Sequence, residues 1–113
     1  MTGPSPADFA VTVHATPPTL SVGVAGELDY DTCDEFLDTV TRHLAHHGPA
    51  LQEVRLDFRG MTWIDSSGLS ALIMVHRRTT GCGAVLHLDN RPTILERILT
   101  LTDVRDHLTA GEA

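Results

Sequence analysis

The sequence predicts an α/β domain whose mixed, mostly parallel β-sheet opens with an antiparallel hairpin and carries packed α-helices. Three observations lead there. Two runs near the start alternate apolar with small or polar residues, the signal of half-buried strands. A turn that cannot continue a ladder, Ala15-Thr16-Pro17-Pro18, separates them and makes an antiparallel hairpin the natural pairing. Beyond residue 30, segments of helical period alternate with short apolar strands, which implies parallel pairings with right-handed crossovers.

Taken in order, Phe9, Val11 and Val13 alternate with Ala10, Thr12 and His14 in the first strand. In the second, Leu20, Val22 and Val24 alternate with Ser21, Gly23 and Ala25, whose small side chains leave room for something to pack closely. Cys33, Phe36, Leu37, Val40 and Leu44 then recur at helical spacing. Asp31 and Thr32 are candidate caps for that helix, Thr32 and Glu35 have the spacing of a capping box, and Gly48-Pro49 ends it. Val54, Leu56 and Phe58 form a third strand, which runs into a turn over residues 59–64 and then Asp65-Ser66-Ser67-Gly68. Residues 69–80 are helical, with Gly81 just beyond. Residues 84–88 read as a buried strand, and Pro92 opens a helix carrying Ile94, Leu95, Ile98 and Leu99.

The chain has 113 residues, 42% of them hydrophobic, which is the scale of one domain with a modest core of its own. No repeat or low-complexity block divides it, so residues 9–108 are expected to form one unit between loose tails at 1–8 and 109–113. Fifteen acidic residues against eight basic ones give a formal charge of −7, which repels phosphate backbones and anionic membranes. Neither nucleic acid nor a membrane is an expected partner. Cys33 and Cys82 show no C-x-x-C spacing, so a disulfide framework or a zinc site is not expected, and a reducing compartment fits. No stretch approaches the roughly 20 apolar residues of a membrane span, and the first residues lack the charged and apolar regions of a signal peptide, so the expected location is the cytoplasm.

The most informative stretch is residues 56–69, where a strand leads through a polar turn to two serines at a helix start. The first turn of a helix leaves N–H groups without intrahelical partners and carries the positive end of the macrodipole, so a phosphate there meets donors and favourable charge. A phosphoserine fits without disrupting the fold, and it would add nearly two negative charges beside Asp65. The simpler reading of Asp65-Ser66 is an N-cap. The helix that follows is apolar around much of its circumference, because Ala71, Met74 and Val75 extend the face defined by Leu69, Leu72 and Ile73. Two explanations stand open: another element covers it, or part of it is a docking patch beside Ser67.

Residues 54–69, Val-Arg-Leu-Asp-Phe-Arg-Gly-Met-Thr-Trp-Ile-Asp-Ser-Ser-Gly-Leu, resemble the signature of the STAS family, the domain shared by anti-sigma factor antagonists and sulfate transporter tails. Gly26-Glu27-Leu28-Asp29 resembles that family's second short motif, and the elements follow the family's order from residue 9 to about 108. The resemblance implies a STAS domain acting as an anti-sigma factor antagonist. It implies that Ser67 is phosphorylated by an anti-sigma serine kinase with a histidine-kinase-like ATPase fold. The unphosphorylated form would bind that kinase and free its sigma factor, and a phosphoserine phosphatase would reset the switch. On the same ground Asp29, Asp65, Ser66, Gly68 and Leu69 are the expected partner-binding residues, no cofactor or metal is expected, and charge reversal at Asp29 is expected to affect association and not folding.

Other chemistries fit less well. A hydrolase serine on a strand-to-helix elbow sits in G-x-S-x-G with a histidine base, whereas residues 65–69 read Asp-Ser-Ser-Gly-Leu, so no enzyme is expected. His43, His46 and His47 cluster at a helix C-terminus, where the dipole explains them without a metal. The alternative function is a STAS scaffold or ligand-binding subunit of a larger signalling assembly that no kinase switches, which the fold alone does not separate from an antagonist.

Overall fold

The computed structural model describes residues 9–109 of the chain; the tail expected at 1–8, and all of that at 109–113 except Thr109, lie outside them. Strands β1 (Ala10–Thr16), β2 (Thr19–Leu28), β3 (Glu53–Ile64) and β4 (Val85–Asp89) form one sheet in the order β1-β2-β3-β4. The first pairing is antiparallel, and β2-β3 and β3-β4 are parallel, so the sheet is mixed and mostly parallel as the sequence predicts. The β1-β2 turn is shorter than expected, reduced to Pro17-Pro18 with a cis bond between them, because Ala15 and Thr16 still pair with Leu20 and Thr19.

Parity along each strand sets the layers. Leu20, Val22 and Val24 of β2, Val54, Leu56 and Phe58 of β3, and Leu86 and Leu88 of β4 are buried. Ser21 and Gly23, Arg55 and Asp57, and His87 and Asp89 alternate with them and are only half-buried. Their side of the sheet carries polar links, among them Arg55 Nη1 donating to Asp89 Oδ1 at 2.9 Å and His87 Nε2 at 3.3 Å from Glu53 Oε2. The helices bury the other side. These are α1 (Cys33–His47), α2 (Ser66–Gly81), α3 (Thr93–Leu101) and the short α4 (Arg105–Thr109), which the sequence reading does not anticipate. Leu108 anchors α4 with no exposed surface.

Two local expectations need correction. Thr32 is the N-cap residue of α1, but no side-chain cap bond forms, so the Thr32/Glu35 capping box is absent. Its hydroxyl instead accepts from the Asp29 N–H at 2.9 Å and donates to the Glu27 carbonyl at 2.7 Å, tying the loop to the end of β2. Residues 59–64, expected as a turn, are strand. They stay paired with β2 through irregularities at Gly23/Ala25 and Gly26/Glu27. A Cβ on Gly60 would lie 2.8 Å from Ala25 Cβ, so small residues on both strands permit that continuation.

Helix α2 is wedged against α1 and the sheet: Leu69, Ala71, Leu72, Val75 and Thr79 are buried. Its broad apolar circumference is therefore mostly covered, and only Ile73 and Met74 stay half-exposed.

Candidate functional site

Leu28 and Ile64 are register partners at the ends of the parallel strands β2 and β3. The chain leaves both strands at the same edge of the sheet, where α/β proteins place their sites. That register brings Gly26-Glu27-Leu28-Asp29 and Asp65-Ser66-Ser67-Gly68, nearly 40 residues apart in the chain, side by side.

The first motif is a strand-end lock. Gly26 adopts φ 85, a conformation that favours glycine, at the irregularity in the β2-β3 ladder. Leu28 is fully buried. Asp29 then organises the loop, its Oδ1 accepting from the N–H groups of Asp31 at 3.0 Å and Thr32 at 3.2 Å. Its carbonyl accepts from the Cys33 N–H at 2.8 Å. The expectation that Asp29 is a clean surface charge is thus corrected: it is half-buried and structural, so reversing it disturbs the loop as well as any partner.

The second motif is a cap joined to the first. Asp65, in extended conformation, is the N-cap of α2, and its Oδ1 accepts from the Gly68 N–H at 3.0 Å. Its other oxygen accepts from the Tyr30 N–H at 3.2 Å, while the Asp65 N–H donates to the Leu28 carbonyl at 3.3 Å. One carboxylate therefore fastens the helix start to the neighbouring loop. Ser66 is exposed in the first position of α2, and Ser67 is half-buried in the second. Gly68 and Leu69 point inward. Leu69 is 6% exposed, and a Cβ on Gly68 would collide with the Leu28 carbonyl oxygen.

Ser67 opens onto a groove of ≈ 140 Å³ between α1 and α2, lined by Cys33, Asp34, Leu37, Ser70, Ala71 and Met74. Burial, reinforced by the charge of Asp34, pushes the Cys33 thiol above its ordinary pKa, so this cysteine stays protonated and a poor nucleophile at neutral pH. Two flanking residues escaped the sequence reading: Tyr30 is 78% exposed and Trp63 is 46% exposed. Their signal was a large aromatic next to each motif's aspartate-bearing turn. Residues 60–76 hold no arginine or lysine, and the β2-α1 connection and the first turn of α1 add Asp29, Asp31 and Asp34 to Asp65, so this end of the domain is acidic. Among the described residues, no three His, Cys, Asp or Glu side chains are grouped to hold a metal. No helix among them is long and apolar enough to cross a membrane.

A family model described as "Mlab, STAS domain" matches residues 11–110 of this chain. No curated protein matches it in sequence. Among solved structures, an anti-sigma factor antagonist from Mycobacterium paratuberculosis superposes with a TM-score of 0.75 at 19% identity, covering 97% of this chain and 99% of that one. The Bacillus cell fate determinant SpoIIAA in its phosphorylated form gives 0.69 at 16% identity over 90% and 87% of the two chains. The murine anion transporter Slc26a9 gives 0.69 at 17% identity, over 78% of this chain but 14% of the transporter. At these identities the structural likeness is one of fold.

Proposed function

The chain belongs to the STAS-domain family, and from that premise we propose that it is an anti-sigma factor antagonist working by partner switching in the cytoplasm, with Ser67 as its phosphoacceptor. The unphosphorylated protein binds an anti-sigma serine kinase of histidine-kinase-like ATPase fold, which then lets go of its sigma factor. Phosphate on Ser67 ends that binding, and a phosphoserine phosphatase restores it.

The observation that carries this reading is the place of Ser67. It stands second in α2, at the mouth of the α1-α2 groove, with Asp65 bridging the helix start to the Asp29 loop. A phosphate there falls on the positive end of a 16-residue helix, so the modified form stays folded. The same phosphate adds about 1.5 to 2 negative charges to an end already carrying Asp29, Asp31, Asp34 and Asp65. A partner surface that fits the neutral serine and the carboxylates meets excess charge and bulk after modification. Ser66 and Ser67, with exposed Tyr30, Asp31 and Trp63, form the docking surface, while Asp29 and Asp65 hold its two turns together and buried Gly68 and Leu69 set the position of the helix start beneath it. The work of this end is binding, and the reaction is the kinase's.

The test incubates the protein with ATP and the kinase encoded beside it or co-purified with it, then maps the modified peptide by mass spectrometry. Phosphate is expected on Ser67, lost in Ser67→Ala and kept in Ser66→Ala. Ser67→Ala should fold and bind the kinase constitutively. Phosphate on Ser66 or Thr62 would move the acceptor. A large particle of fixed stoichiometry that never accepts phosphate would favour the scaffold reading.

A further inference from the structure

The β1-β2 hairpin is the neutral part of an acidic protein. Between Asp8 and Glu27 the only titratable side chain is His14, whereas the whole chain carries a formal charge of −7. Among the described residues β1 pairs only with β2, so its outer edge presents unpaired N–H and C=O groups along Ala10–Thr16.

Proteins usually guard such an edge with charges, proline, a bulge or extreme shortness. Strand β1 has none of these within it: seven residues, in unbroken register from Ala10↔Ala25 to Thr16↔Thr19, without a charged residue. The opposite edge is different. Strand β4 is five residues long, and its Asp89 and His87 side chains are engaged with Arg55 and Glu53 of β3. The apolar side of β1 is also incompletely covered. Phe9, Val11, Val13 and Ala15 pack against the core but stay half-exposed, while Val22 and Val24 on the adjacent strand are 1% exposed.

We propose that β1 is a self-association edge that pairs antiparallel with β1 of a second copy of this chain. An antiparallel strand pair is what a two-fold axis generates, and one surface patch then serves both partners. With the axis at Val13, the middle of the strand, Val13 meets its own copy, Val11 meets Ala15, Thr12 meets His14 and Ala10 meets Thr16. Each face of the joined strands thus meets side chains of its own kind, apolar on one side and small or polar on the other. The neutrality of the hairpin is the argument for a second copy over an unrelated partner. Two copies carrying the same net charge repel one another overall, and this edge adds no formal charge of its own to that repulsion. A single strand pair is small beside the ~1,600 Å² of a standard stable interface, so the dimer forms reversibly with concentration. The residues of the docking surface lie on the β2-α1 loop, the end of β3 and the start of α2 and not on β1, so this inference stands apart from the phosphorylation reading.

Sedimentation equilibrium over a wide concentration range is the first measurement, with the mass expected to climb from one chain toward two. Hydrogen exchange followed at both ends of that range should show alternate β1 amides, those aimed away from β2, protected only when concentrated. Thr12→Glu/His14→Glu places carboxylates opposite one another across the axis on an exposed face, and should abolish the mass increase while leaving circular dichroism and Tm unchanged. A single-chain mass at every concentration overturns the proposal. So does a doubled mass with unprotected β1 amides, or one that survives in a folded double variant. Outer β1 amides protected at all concentrations in a single-chain species would identify residues 1–8 as the occupant and also refute it. The mass and exchange measurements use the unmodified protein, so they decide the matter even if the variant fails to fold.

Discussion

Gly68→Ala is a small substitution with a large expected consequence. A Cβ at this position would meet the carbonyl oxygen of Leu28, Ile64 Cγ1 at 2.9 Å and the Leu28 carbonyl carbon at 3.0 Å. Ile64 can adjust its rotamer, but a backbone carbonyl inside a paired strand cannot, so the start of α2 must back away from β2. Overpacking of this kind costs about 1–3 kcal/mol. Retreat of the helix also stretches the 3.0 Å bond from the Gly68 N–H to Asp65, an N-cap interaction worth ~1 kcal/mol. Alanine's helix propensity returns up to ~1 kcal/mol, leaving a net loss of about 1–3 kcal/mol. For a domain of this size each kcal/mol moves Tm by roughly 4–8 °C. Gly81→Ala is the matched control: it closes the same helix, its Cβ would meet nothing within 4 Å, and it should hold or slightly raise stability. Urea and thermal unfolding of both variants, with kinase binding measured alongside, make the test. A Gly68→Ala protein as stable as its parent, or one no worse than Gly81→Ala, would show that the helix start does not depend on close approach to β2.

Three further expectations follow from the same contacts. Asp65→Ala removes the acceptor for both the Gly68 and Tyr30 N–H groups and should cost about 1–2 kcal/mol in urea unfolding, with the greatest exchange increase at those two amides. Asp31→Arg reverses an exposed charge whose side chain is no part of the loop lock, so it should weaken kinase binding with little change in Tm, while Asp29→Arg should lower both. His76 contacts the ring of His107 at 4.7 Å between centroids, and its Nδ1 is buried without a hydrogen-bond partner among the described residues. Burial first, and the neighbouring His107 second, push its pKa below 6.5. The unfolded chain therefore binds the proton more readily, and stability present at neutral pH should decline as pH falls below ~6.5. His76→Gln should flatten that decline in Tm measured against pH.

Much of this fold was legible because burial follows period. The even-numbered residues from Leu20 to Val24, and Val54, Leu56 and Phe58, are core because strand parity allows nothing else once one side is covered. The cap of α2 was legible for the same local reason, since Asp65 is a good cap wherever it stands, whereas the cap read at Thr32 makes no such bond. The length of β3 was not. Arg59, Gly60 and Thr62 look like a turn in isolation, and only the partner strand, with Ala25 small enough to face Gly60, keeps them extended. Helix α4 is too short for its period to show, and its order comes from burying Leu108.

The site was legible as two motifs but not as one object. Each aspartate reads from the sequence as a local device, Asp65 a cap and Asp29 a surface charge. The register Leu28↔Ile64 places them on adjoining turns, and from there Asp65 spends one oxygen on its own helix and the other on the Asp29 loop. Asp29 in turn is committed to the amides of Asp31 and Thr32. Neither carboxylate is therefore a free handle for a partner: both hold up the platform on which Tyr30, Asp31, Ser66 and Ser67 are displayed. In the partner-switching reading, the motif aspartates are needed for binding because they fix backbone geometry, and recognition itself falls to the exposed side chains of the neighbouring residues. Asp65→Asn separates the two roles. It keeps one carbonyl oxygen for the Gly68 N–H but replaces the acceptor facing Tyr30 with an amide that donates, so a loss of kinase binding with Tm preserved would locate the defect in the junction between the two turns. Unchanged binding would show that the Tyr30 contact is dispensable and that Asp65 serves as a helix cap alone.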